Sequence, residues 1–452
     1  MGLHRTHCFI TVLLIAVVGC EKQPAPVPTE LHQAAEAGDL TKVQSLLAAG
    51  VDVDAKVDHG WTALLYAARE GHTDVVELLV ANGANIDARD QSGGTALHHA
   101  AQEGFVDLAR LLVAKDADVD IQNSLDRTPL FYAASYGHRE IVELLIASGA
   151  DVEGKSPHST PLHWGAEDGH LGIAKLLVSH GAEVNRANSE GVTSLHHAAT
   201  GGHEDMVAFL LGKGVDLDAQ TSYGHTPLHV AARKGHARAA ELLVNNGADV
   251  DMKDRHDNTA LHGAARYGHD DIVKFLVMHD AAVNVCNDQG DTPLHMLMPK
   301  GSGEVVALVI ANGARVDATN RLGKTPLHGA ARAGNVAAAA VLLATHARPD
   351  LKDAEGKTPL HYAVLGDQRD VRKELTALLL TEGADANAQT SAGWTALHFA
   401  AREGDADVAE VLLAHGADIS KKTSSGWTAL QYAAKHEHQE VVKLLVASTS
   451  QE

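Results

Sequence analysis

Cysteine is nearly absent from this chain: of 452 residues only Cys8, Cys20 and Cys286 carry a thiol, and two of these fall in the first twenty positions. No disulfide framework can be drawn through the body, whose stability must therefore come from packing. Cys286 reads as an ordinary small core or loop residue, because nothing near it in sequence would lower a thiol pKa. Aromatic residues are scarce too, at 4% against 45% apolar residues overall, so any core is built from Leu, Val, Ile and Ala. Side chains of that size suit close-packed short helices. Positive charge is outweighed by negative, and the formal net charge of −21 argues against a general affinity for nucleic acid or anionic lipid. A basic ligand stays open. Also missing are a Gly-rich phosphate loop, a nucleophile elbow, a Cys-x-x-Cys pair and any unrepeated stretch long enough for a catalytic domain. These absences predict a protein that is not an enzyme and needs no cofactor.

Long apolar runs are confined to the N-terminus. Met1 to His7 carries one firm positive charge, Arg5; the twelve residues from Cys8 to Gly19 are almost wholly apolar; and the stretch ends in Val17-Val18-Gly19-Cys20. This is a signal-peptide layout, too short for a membrane span, which needs about twenty apolar residues. Val17, Val18, Gly19 and Cys20 resemble the bacterial lipobox, a likeness that implies lipid attachment at Cys20 and cleavage just before it. Val18 departs from that pattern, which prefers a smaller residue there. Glu21, where an Asp would favour the inner membrane, implies outer-membrane retention by the same resemblance. Met1-Gly2-Leu3-His4-Arg5-Thr6 also fits an N-myristoylation pattern, but that reading leaves the apolar run behind it unexplained. An uncleaved anchor and simple secretion are the remaining alternatives. Pro24, Pro26 and Pro28 then favour an extended spacer, which at about 3 Å per residue would hold the body roughly 25 Å off a membrane. The expected organisation is a signal peptide at 1–19, a lipidated Cys and tether at 20–28, a repeat body at 29–447 and a tail at 448–452.

The body is periodic. A Thr followed two places on by Leu recurs at Thr29, Thr62, Thr95, Thr128, Thr160, Thr193, Thr226, Thr259, Thr292, Thr325, Thr358, Thr395 and Thr428. The step is 33 residues except for one of 32 before Thr160 and one of 37 before Thr395, giving thirteen units. In the unit that opens Thr128-Pro129-Leu130, Thr is a good N-cap and Pro is tolerated at the first helical position. A short helix through Leu130, Ala133 and Ala134 stops at Gly137. A second helix with Ile141, Val142, Leu144 and Leu145 as its apolar stripe stops at Gly149, and Ala150-Asp151-Val152 leads through an extended turn or hairpin to the next Thr. Helices under about twelve residues are marginal alone, so stacking must supply the missing partner, and Ala-Ala pairs such as 67–68, 231–232 and 400–401 permit close approach.

Thr-Pro-Leu-His at 226–229, 292–295, 325–328 and 358–361, with Gly-His at 71–72, 137–138, 169–170, 202–203, 235–236 and 268–269, resembles the ankyrin repeat over about residues 29 to 447. The resemblance implies an all-α repeat solenoid: a stack of helix pairs with short β-hairpin fingers, about 10 Å per unit and roughly 120 Å long. It also implies a concave face of fingers and first helices that binds proteins.

Thirty histidines invite a metal reading. Ten of them, His32, His98, His163, His196, His229, His262, His295, His328, His361 and His398, stand three places after a repeat Thr, and six more are the Gly-His histidines. By the resemblance the first set links finger to helix through a neighbouring Thr hydroxyl. The adjacent pairs His98-His99 and His196-His197 lack the i, i+4 spacing of a helical zinc site, so no metal is expected. Asp151, Asp249, Asp385 and Asp418 recur in Gly-Ala-Asp segments and read as turn-forming carboxylates.

Recognition is expected where units differ. Seven and eight places after the Thr stand Arg69-Glu70, Gln102-Glu103, Ser135-Tyr136, Glu167-Asp168, Arg233-Lys234, Arg266-Tyr267 and Arg402-Glu403, a row whose charge alternates. Tyr, Trp and Arg are the side chains most enriched at binding hot spots, which selects Trp61, Tyr136, Trp164, Tyr223, Arg233, Tyr267, Trp394 and Trp427 as partner-binding candidates. The leading expectation is a monomeric, lipid-tethered protein-binding scaffold of the bacterial cell envelope, in the outer membrane or periplasm. An envelope stress factor or inhibitor that occupies an enzyme's surface is the first alternative, and a hydrolase or metal enzyme hidden in the His-rich units the second. Two units are irregular. Leu297-Met298-Pro299 should shorten or kink the first helix of the ninth, making it the easiest place to open, and the insertion near Asp367-Gln368-Arg369-Asp370 should bulge between the helices of the eleventh.

Overall fold

A computed structural model describes residues 29–154 and 156–449; the expected signal peptide, Cys20 and the expected proline tether lie outside the described residues. Among the described residues there are twenty-six α-helices, one short 3-10 turn at Asp58–Gly60, and no strand. The described residues form two compact units, divided between Pro129 and Leu130. In the first unit Glu30–Glu36, Ala63–Arg69 and Ala96–Glu103 pack in one row, each backed by its own second helix, Leu40–Ala48, Thr73–Ala81 and Val106–Ala114. The second unit repeats the scheme, from the pair Pro161–Glu167 and Leu171–Ser179 through to Ala429–Lys435 and Gln439–Thr449. First helices pack on first helices and second on second.

The local chemistry explains these elements. Thr226 is extended (φ −90°, ψ 167°), and its hydroxyl accepts the His229 N–H while Pro227 occupies the first helical position. Eight residues later the helix ends at Gly235, with φ +84°. Glycine is required there twice over, since a Cβ would be in the left-handed region and would also lie 2.6 Å from the His269 ring. First helices of seven or eight residues and second helices of about nine are too short to persist alone. Stacking removes Leu64, Ala67, Ala68, Val75, Val76 and Leu79 wholly from water, the larger of these contributing about 1.5–3 kcal/mol each.

The fingers differ from the expected β-hairpins. They are turns closed by two backbone bonds, as where Asp254 N–H donates to the Asn258 carbonyl at 2.9 Å and Asp257 N–H to the Asp254 carbonyl at 3.0 Å, with the Asp254 carboxylate accepting the N–H groups of His256 and Asn258. Successive fingers are joined by one backbone bond, Arg255 N–H to Tyr223 at 3.0 Å, Asp288 N–H to His256 at 2.9 Å, Arg321 N–H to Gln289 at 3.0 Å, and by side-chain bonds such as Asn287 Nδ2 to Asn258 Oδ1 at 3.0 Å. One backbone bond between neighbouring fingers makes a chain of tethers and, among the described residues, no strand ladder.

The irregular units resolve differently from one another. The first helix after Thr292 is shortened to Pro293–Leu297, five residues, as Pro299 requires. The insertion after Thr358 does not bulge; it adds a turn to the front of the second helix, Arg369–Thr381, which reaches thirteen residues. Its register buries Leu375, Thr376 and Leu379, and Arg372, also buried, donates from Nε and Nη2 to the Gly366 carbonyl at 2.9 and 2.6 Å. A bulge would have left that carbonyl without this charged donor.

The shortened helix at Pro293–Leu297 gives up the last turn that its neighbours keep. Hydrogen exchange is expected to be fastest, among helices, in the unit opening at Thr292; uniform protection across residues 258–340 contradicts this.

Candidate functional site

One three-atom device recurs through both units. The repeat histidine takes the Thr backbone N–H on Nδ1, at 3.2 Å for Thr193 and His196 and 3.0 Å for Thr358 and His361, with the Thr hydroxyl 2.9 Å away in both. Its Nε2 points the other way and donates to a carbonyl in the next finger: His196 to His225 at 3.0 Å, His229 to Asn258 at 3.0 Å, His361 to Trp394 at 3.1 Å, His398 to Trp427 at 3.1 Å. A backbone N–H can only donate and a carbonyl can only accept, so the ring is neutral with its proton on Nε2. Burial is the leading cause that pushes His98, His163, His196 and His361 down to about 4, and lowers His32, His229, His262, His295, His328 and His398 as well.

The Gly-His histidines point backward. Nε2 of His203 donates to the Glu167 carbonyl at 2.8 Å, that of His236 to Thr200 at 2.9 Å and that of His269 to Arg233 at 3.1 Å, each closing the end of the preceding first helix. Asp249, Asp385 and Asp418 close turns on their own backbone, accepting the N–H two residues on at 2.8–2.9 Å. Residues two places further along reach the next repeat, as when Asp218 accepts the Asp249 N–H at 3.0 Å and Asp251 the Ala282 N–H at 2.9 Å. Among the described residues no three His, Cys, Asp or Glu side chains converge on a point that could hold a metal ion. Cys286 is an exposed loop residue.

The side chains left over lie on the finger and first-helix face. Near the C-terminal end Tyr432 joins two candidates, with ring centroids 4.5 Å from Trp394 and 5.3 Å from Trp427, and Trp394 lies 4.8 Å from Phe399. Arg402 covers Trp394 at 5.2 Å and Lys435 covers Trp427 at 5.1 Å. All four rings except buried Phe399 are half-exposed. In the first unit Trp61 packs on Tyr66 and His99, each at 5.1 Å, under Arg69 at 5.0 Å. His99 also faces Asp90 at 3.5 Å; burial would raise that carboxyl, but hydrogen bonds from His99, Ser92 and the Gly94 N–H outweigh it and hold it at about 2. Trp164 is half-buried, 5.7 Å from His197, which is bonded to Glu167 at 2.6 Å. Tyr136, Tyr223 and Tyr267 are exposed at 47%, 62% and 46%. Arg233 and Tyr267 come together with His225, Arg266 and Met296 around a cleft of about 170 Å³.

Tyr432, Lys435 and Lys300 belong on this face and escape a search keyed to the repeat histidine. Gln431 stands where that histidine would be, hiding Tyr432 one place on, and the Leu297-Met298-Pro299 irregularity hides Lys300 eight places after Thr292. The expected alternation of charge fails in the second unit: from Arg233 through Arg266 and Lys300 to Arg332 the row is basic throughout.

The fold and these residues define a class: a stacked helix-pair repeat protein whose variable surface is carried on a recurring frame. Profiles described as ankyrin repeats in three copies match residues 31–123, 116–188, 185–254, 299–377 and 371–452, and one described as ankyrin repeats in many copies matches 243–297. The chain belongs to the ankyrin-repeat family. Ankyrin repeats generally mediate protein–protein interaction, and proteins built from them are typically non-catalytic scaffolds. No curated protein matches the sequence significantly. No helix among the described residues is long and apolar enough to cross a membrane.

The histidine device sets a pH dependence. Unfolded, these rings titrate near 6.5; folded, the deepest bind a proton only near 4, so in that window the unfolded chain holds more protons. Their stabilisation is complete above pH 6.5 and is lost as pH falls towards 4, each ring adding a slope of up to about 1.4 kcal/mol per pH unit. Asp90 acts in a lower window, below its ordinary 3.8. Denaturant midpoints should fall from about pH 7 to about pH 4.5, and His196→Gln, which can still cap the helix as Gln431 does at Thr428, should flatten the slope by about one proton. A profile without slope in that range, or one that His196→Gln leaves unchanged, contradicts the assignment.

Proposed function

We propose that this chain is a non-catalytic, protein-binding scaffold of the bacterial cell envelope, exported by residues 1–19, lipidated at Cys20 and held off the membrane by the proline spacer. Its body of thirteen repeats acts as a monomer and engages a protein through the face made by fingers and first helices. The supporting observation is the division of labour among side chains. The repeat histidines spend both ring nitrogens on backbone groups, whereas Trp394, Trp427 and Tyr432 form a half-exposed aromatic cluster under Arg402 and Lys435 that completes no helix cap. Large flat rings flanked by guanidinium and ammonium groups are the composition of interface hot spots. The backbones of both tryptophans are fixed by the histidines of the preceding units, so their rings are presented with little entropy left to lose on binding.

Photo-crosslinking residues placed at Tyr136, Tyr267 and Trp427 in the native envelope should trap one partner, and Trp394→Ala with Tyr432→Ala should reduce its capture at least about tenfold, the size expected of a hot-spot pair. If capture survives both that double variant and Trp164→Ala with Tyr136→Ala, these residues do not form the binding face. Cys20→Ser should release the protein from the membrane fraction and remove the lipid mass from its mature N-terminus. A Cys20→Ser protein that stays membrane-bound rules out lipid anchoring.

A further inference from the structure

The second unit carries a row of cations without carboxylate partners, one of which, Lys300, rests over the Tyr267 ring at 6.0 Å. Arg233, Arg266 and Arg332 occupy the exposed last turns of their first helices, and exposed Lys300 follows three residues after the end of the shortened Pro293–Leu297 helix between them. Lys300, eight places after its Thr, takes the place where units outside this run carry Glu70, Glu103, Asp168 and Glu403, whereas Arg332 stands seven places after its Thr, as Arg233 and Arg266 do. None of the four has a carboxylate within 4 Å among the described residues, although Lys274, Arg348 and Arg238 on other faces of the same units are all in ion pairs. The fingers in front add Arg255 and Arg321, both exposed. Lining up four unpaired cations is costly in a folded chain, and in a protein of net charge −21, carboxylates to neutralise them were abundant.

We propose that this row is a docking site for an acidic, extended segment of a partner protein, an inference that rests on the protein-binding reading above and specifies the chemistry of the partner. Neighbouring first helices are about 8–10 Å apart, and an extended chain advances about 3.3 Å per residue, so a carboxylate at every third position meets each cation in turn. Beside the row, the cleft of about 170 Å³ between Arg233 and Arg266 is lined by Tyr267, Met296, His225 and Asn258, and has room for one side chain. Its one acid, Asp254, is already occupied by the N–H groups of His256 and Asn258 and by the His225 ring at 3.6 Å. A short acidic segment feels mainly the local row, because screening cuts off charges beyond about 8–10 Å. A long polyanion or an anionic bilayer would meet the repulsive remainder of the chain.

The test is fluorescence anisotropy of a labelled deca-glutamate with the whole mature protein. Binding that weakens as salt rises, and that R233E/R266E/K300E/R332E weakens at least about tenfold, is the expected result. A control with the same charge change at exposed positions elsewhere, R110E/K115E/K213E/K422E, should stay within about twofold, since screened distant charges contribute little. Circular dichroism melts check that both variants fold. No binding by the unaltered protein, or equal losses in both variants, overturns the proposal. Tighter binding of a single-stranded oligonucleotide or of phosphatidylglycerol vesicles, lost in the same row variant, overturns the partner class. If crosslinking at Trp427 still traps a protein while deca-glutamate fails to bind, the acidic-segment assignment falls and the scaffold reading stands; if both fail, both fall.

Discussion

The structure depends on one imidazole ring accepting from a threonine backbone N–H and donating to a carbonyl of the next repeat. A helix of eight residues has no stability of its own, and stacking has nothing to act on until the helix exists. The ring joins the two, because the group that completes the N-cap also makes the bond between repeats. Neither half is optional for the other. Where the ring is missing the frame adapts: Gln431 reproduces the cap at Thr428 with its carbonyl oxygen 2.9 Å from the Thr N–H, while Leu65 and Phe131 fill the place with apolar bulk. Those exceptions are affordable in a row where neighbouring links remain intact.

A frame built this way fixes which side chains can recognise anything. Histidine, the residue type most suited to metal binding and proton transfer, is here spent on architecture: one set reaches forward to the next finger and another backward to the preceding helix end. The same bonds place the variable residues. His361 and His398 hold the carbonyls of Trp394 and Trp427, so a scaffold contact sets where each ring proposed for recognition begins. Diversity is then confined to positions that the frame presents and does not consume.

Much of this could be read from residue order. The Thr-x-Leu period, the proline at the first helical position and the closing glycine each have a local cause, and local causes survive translation into structure, as Thr226, Pro227 and Gly235 do. What sequence order did not reveal depended on registration between units. The fingers satisfy their backbone through two turn bonds and one tether to the previous finger, a choice that no single finger's composition specifies. The four inserted residues near Asp367 look like a loop by their polarity, yet joining the helix lets Arg372 reach the Gly366 carbonyl, a tertiary reward invisible at the level of pattern. The basic row was obscured because Pro299 stands seven places after Thr292, where Arg266 and Arg332 stand in their units, and the cation falls one place later at Lys300.

The row also shows why a net charge is a poor guide to a binding face. Many of the carboxylates behind the figure of −21 are fixed by architecture: Asp218 and Asp251 each accept a backbone N–H from the following repeat, and Asp254 closes its own finger. Such groups recur because every repeat needs an acceptor there, so their number grows with the length of the stack and not with the demands of any ligand. They are bonded, locally compensated by N–H dipoles, and set away from the ends of the first helices. At those ends no backbone donor dictates the residue, and there the sign of the charge reverses over four successive repeats. Composition sums both populations and reports the larger; recognition, screened within about a Debye length, responds to the smaller.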